Sequence, residues 1–160
     1  GVYEAANGKW FTGGLIVTNS ATVAVKPGCR PGKGALTVHK GASLKVPQSA
    51  TVSLENELNF NDGAILGFHF TSADTMPVLN VDPEKVNFEE GSSKILHVRI
   101  TADDGIVPVK GEKVLTSGGG FKGVKVFRTR DSSNWAGRVE VNDDGNIVLK
   151  DKVYFYISVE

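Results

Sequence analysis

The residues of this chain with chemistry to offer are three histidines, three pairs of adjacent carboxylates, one cysteine and a group of arginines around a tryptophan. His39, His69 and His97 lie far apart, and none has a ligand-spaced neighbour within four residues. A zinc site needs three or four converging ligands, so no metal is expected. The acidic pairs are Glu89-Glu90, Asp103-Asp104 and Asp143-Asp144. Adjacent carboxylates can begin a calcium site or an acid/base pair. All three pairs precede glycine, however, and in the two aspartate pairs that context more often means hydrogen bonds to a turn. Ser117-Gly-Gly-Gly-Phe-Lys-Gly123 lacks the spacing of a phosphate-binding loop and reads as a flexible connection.

Arg128, Arg130, Trp135 and Arg138 form the candidate ligand-binding group, a basic patch around an aromatic side chain. Trp10, Phe11, Tyr154 and Tyr156 are further candidates for stacking on a sugar, because aromatic faces suit the apolar faces of sugar rings. The competing reading packs each of them into the core or its cap. Cys29, the only cysteine, excludes an internal disulfide. Arg30 and the nearby lysines would favour its thiolate, but nothing else in the chain supports redox chemistry. No catalytic residue set assembles from these pieces, and no cofactor is implied. The expectation is a protein that is not an enzyme.

Around these residues, internal repetition dominates the sequence. Leu15–Val25, Leu36–Val46 and Leu58–Phe68 share one pattern: apolar-x-apolar, a polar pair, Gly or Ser, Ala, any residue, then apolar-x-apolar. The copies begin 21 and 22 residues apart, and a degenerate fourth begins 28 residues later at Val86-Asn-Phe88 and runs into Ile95–Ile100. Each copy predicts two short strands with alternating apolar positions, joined at Gly41-Ala42 or Gly63-Ala64 by a turn that needs positive φ. Such a turn is either the tip of an antiparallel hairpin, leading to a β-sandwich, or a corner at which successive copies stack in parallel as a β-solenoid. One copy buries too few apolar side chains to offset the ordering of its own backbone, which favours stacking. In a stack, Ala21, Ala42 and Ala64 would fall in one column.

The rhythm changes after Ile100. Asp103–Val109 predicts a turn into a short strand, Glu112–Thr116 another, and Val124–Phe127 a third. Arg138–Val141 and Ile147–Leu149 flank a hairpin turn, and Val153 to Val159 alternate as a last strand. Residues 1–100 are thus expected to be repeats of about 21 residues, and residues 101–160 an irregular, partly antiparallel cap of the same domain. The cap would cover an otherwise sticky sheet edge.

At 160 residues the chain has the length of one domain, rich in Gly, Val and Thr. Basic and acidic residues balance at 18 each, which offers no field to attract nucleic acid. No apolar run is long enough for a membrane helix, and no membrane insertion is expected of this stretch. The missing initiator Met and leader suggest a piece excised or processed from a longer parent.

The segments Gly14–Gly28, Lys33–Val46 and Asn59–Phe68 resemble autotransporter-associated β-strand repeat proteins of bacteria. Leu115–Phe121 and Asp144–Leu149 look like the C-terminal ends of such proteins. The resemblance implies a right-handed parallel β-helix, export to the cell surface or medium, and a stalk-like or adhesive role. It carries over no catalytic residues, and the lysine-rich segments here depart from the family pattern. The function expected is a non-enzymatic structural or adhesive module whose partners are host or environmental glycans or proteins. The alternative is a carbohydrate- or glycoprotein-binding module appended to a secreted hydrolase.

Overall fold

A computed structural model describes residues 2–5, 13–29, 31–133, 135–151 and 158–159. The strands run β1 (Val2–Ala5), β2 (Leu15–Val17), β3 (Thr22–Val25), β4 (Leu36–Val38), β5 (Ser43–Val46), β6 (Thr51–Leu54), β7 (Leu58–Phe60) and β8 (Ala64–Phe70). They continue with β9 (Val78–Val81), β10 (Val86–Phe88), β11 (Ile95–Ala102), β12 (Lys113–Val114), β13 (Thr116–Ser117), β14 (Lys125–Arg128), β15 (Arg138–Val141) and β16 (Ile147–Lys150). A single-turn 3-10 segment at Pro83–Lys85 is the one helical element among the described residues, so the class is all-β.

Three sheets are wholly parallel. The first is ordered β1-β3-β5-β8-β11-β14, the second β10-β7-β4-β2 and the third β13-β9-β6. Equivalent positions of the sequence copies fall opposite one another. Leu15 faces Leu36, which faces Leu58, which faces Val86; Val17, Val38, Phe60 and Phe88 follow in the same order. In the first sheet Val23, Leu44, Leu66 and Val98 align likewise. The strands on either side of each glycine turn belong to different sheets, so these turns pass from one sheet to another and are not hairpin tips.

Period-2 alternation fills one interior from all three sheets. Val38, Leu44, Val52, Phe60, Leu66, Leu79, Leu96 and Ile100 are buried together. Phe60 packs against Phe88 and Phe121, with ring centroids 5.7 and 6.3 Å away. At these turns, the amide of Ala42 donates to His39 O and that of Ala64 to Asn61 O, each at 3.0 Å. Closing these turns requires φ of +77° at Gly41 and +82° at Gly63, where L side chains are strained. Gly41 N–H also donates to Gly63 O, so one turn bonds the next. Ala42 and Ala64 lie fully buried just inside them.

Several features were not visible beforehand. The third sheet is one, because β6, β9 and β13 lie outside the shared motif. Asn56 is another: its buried amide donates to Gly32 O and Gly34 O of the preceding copy. Parallel pairing also continues past residue 100, since β14 adds to β11 and β13 to β9. The Glu112–Thr116 stretch divides at Leu115, with β12 antiparallel to β16 and β13 parallel to β9. The strand expected at 106–109 does not form: Pro108 has no N–H to give a ladder, and Val107 and Val109 are both 58% exposed.

The expected hairpin of β15 and β16 forms, with Val139 opposite Leu149. Ile147, Val148 and Leu149 are buried. Leu115 N–H donates to Ile147 O and Phe121 N–H to Gly145 O, which ties the hairpin to the parallel strands. The last expected strand, Val153 to Val159, lies mostly outside the described residues, as do Trp10, Phe11, Tyr154, Tyr156 and Arg30.

Candidate functional site

Strand register brings together polar residues that the sequence keeps far apart. His69 on β8 lies opposite Thr101 on β11. Its Nδ1 is 2.7 Å from Thr101 Oγ1, and its Nε2 is 2.8 Å from Asp103 Oδ1. With the proton on Nε2, the ring donates to the carboxylate and accepts from the hydroxyl. A hydroxyl, an imidazole and a carboxylate in series form the relay of an activated nucleophile. Such chemistry also needs N–H donors for the developing oxyanion. Here Asp103 N–H is spent on Phe70 O. The trio links β8 to β11 and the turn that follows it. His97 stacks edge-on with Phe127 in the neighbouring register, 6.4 Å between centroids.

The acidic pairs serve the turns unequally. Glu89 accepts from the Asn61 amide at 3.0 Å. In the 142–146 turn, Asn142 Oδ1 accepts the N–H groups of Asp144 and Asn146, so this turn is closed by the asparagine and not by the aspartates expected to do so. A stronger anchor is Asp62, which accepts the N–H groups of Ser93 at 2.7 Å and Ile95 at 2.8 Å. Those backbone donors hold its carboxyl below the usual range. Among the described residues, no group of three or more His, Cys, Asp or Glu could hold a metal ion. Cys29 is buried, and burial pushes its thiol up, which runs against the thiolate that neighbouring cations would favour.

The arginine group separates in the structure. Arg128 turns its guanidinium to the carbonyls of Ala136, at 2.8 Å, and Ser133, at 3.2 Å. Arg130 is exposed in a turn, and Arg138 lies 3.6 Å from Glu140. Trp135, half-buried, meets Phe70 edge-on with centroids 5.4 Å apart and planes at 89°. It lines a pocket of about 430 Å³, with Val107, Pro108 and Leu149 as apolar walls. The charged groups beside it are Lys110, Lys113, Lys150 and Asp151, and none of the three arginines contributes.

The pocket's polar groups are fixed in place. Lys113, 7% exposed, has its Nζ 3.0 Å from Asp151 Oδ1 and also donates to Gly111 O. Asp151 accepts Gly111 N–H at 2.7 Å; that bond, and then Lys113, hold its carboxyl below the usual range. Lys150 pairs with Glu140 and Glu112, and hydrogen bonding to Glu140 raises its pKa. Residue types in the sequence point to Trp135 but give no sign of these lysines. Lys113 and Lys150 arrive because β12 and β16 pair, Lys113 opposite Leu149 and Val114 opposite Val148.

No helix of the described residues is long and apolar enough to cross a membrane. No family model, curated protein or solved structure matches the chain.

Proposed function

We infer that the chain is a non-enzymatic structural or adhesive module of a secreted or surface-exposed bacterial repeat protein, folded as a right-handed parallel β-helix with a hairpin cap. The observation that carries this reading is the register Leu15–Leu36–Leu58–Val86, in which each sequence copy lies parallel on the next. Such an arrangement lengthens by adding copies and presents a rigid rod, as quasi-one-dimensional proteins do. Its polar side chains serve the same purpose. Asn87 donates to Asn59 and Asn59 to Thr37 along the second sheet, while Ser117 donates to Asn80 and Asn80 to Ser53 along the third. His69 and Asp62 are likewise committed to neighbouring copies. Side chains spent on bonding one copy to the next favour scaffold over catalyst.

The resemblance to autotransporter-associated repeats supplies the exported location. Labelling intact source cells with an antibody against this chain tests it. Labelling before permeabilisation, and lower adhesion of a deletion strain, are expected. Labelling that requires permeabilisation would overturn the surface assignment.

A further inference from the structure

We propose that the pocket beside Trp135 binds a pyranose ring of a neutral saccharide. Its volume of about 430 Å³ falls within the range of roughly 300–1,000 Å³ usual for small-ligand sites. Trp135 and Val107 offer the accessible apolar surface that the C–H face of a sugar ring requires, with buried Pro108 and Leu149 completing the wall. Lys113 and Asp151 stand 3.0 Å apart, donor beside acceptor. Vicinal hydroxyls both donate and accept, and they match such a pair. Both groups are immobilised on the backbone of Gly111 before any ligand arrives, which lowers the entropy lost on binding.

The charge balance favours a neutral ligand over an anion. Lys113 is matched by Asp151, and Lys150 by Glu140 and Glu112. Lys110 adds a further positive charge that acts on Asp151. An anion would have to compete with carboxylates already in place. The site is independent of the proposed surface role, and either reading can fail without the other.

The test is an NMR titration of the ¹⁵N-labelled chain with millimolar cellobiose, lactose and methyl β-glucopyranoside. Sorbitol serves as an open-chain polyol and glucuronate as an acidic ring. At least one neutral pyranoside is expected to give saturable shifts confined to residues 106–113, 135–137 and 149–151. Sorbitol should give none. Asp151→Asn should weaken binding by about tenfold, Trp135→Ala should abolish it, and Arg130→Ala should leave it unchanged. Because Trp135 also packs on Phe70, the wild-type shift map decides the matter if that variant unfolds. The proposal is overturned if no neutral pyranoside shifts these residues, if sorbitol acts equally, if glucuronate alone binds, or if a folded Trp135→Ala variant still binds.

Discussion

Asp62 sits in a partly exposed turn, yet it holds the amides of Ser93 and Ile95 in the following copy. These bonds are made to the charged carboxylate, so its folded-state pKa lies below the ordinary aspartate value. A depressed acid stabilises the fold above its unfolded pKa and loses that contribution as pH falls through the folded value. Asp62→Asn should therefore lower the urea midpoint at pH 7, and the gap to wild type should narrow as pH drops below 3.8. An equal gap at both ends of the titration would contradict this. Phe60, buried between Phe88 and Phe121, should cost about 3–5 kcal/mol on replacement by alanine, measured by urea unfolding. Little of this side-chain wiring was legible beforehand. His69 and Asp103 are 34 residues apart, and only extending the alignment of the copies along β8 and β11 brings them together. Trp135 could be singled out by residue type, but the Lys113–Asp151 pair beside it depends on a long-range pairing that no local pattern announces.

At the scale of elements, the glycine turns were the legible part. Gly41 and Gly63 occupy the same place in two copies, and a turn at positive φ is the one conformation that serves both. Gly63→Ala should destabilise by about 1–2 kcal/mol from backbone strain, with a further loss because the new Cβ would lie 3.0 Å from Lys40 Cγ. Gly91 has φ of +75° and open space around it, so its alanine variant should show the strain alone. Chemical denaturation of the two variants measures the difference. If Gly91→Ala proves as harmful as Gly63→Ala, crowding by Lys40 is not a factor. The third sheet escaped notice because Thr51–Leu54 and Val78–Val81 have no counterpart in the shared motif. Val107-Pro108-Val109 misled in the other direction, since apolar residues in alternation fail as a strand where proline interrupts the ladder.

For the molecule as a whole, each copy borrows its hydrogen-bond partners and its burial from its neighbours. A peptide of residues 36–57 alone should be unstructured by circular dichroism, whereas the full chain should unfold cooperatively; a folded peptide would refute the idea of shared stability. The copies are also unequal in length. The circuit from Leu58 to its counterpart Val86 is the longest of the first three, and β8 is longer than β3 or β5. This is where Phe60, Phe68 and Phe70 fill the middle while Val38 and Val46 suffice one level away. The building blocks are consequently not interchangeable. Duplicating the shorter level 36–57 beside its own kind preserves the fit, but splicing it between the longest level and the hairpin would leave aromatic rings facing empty volume.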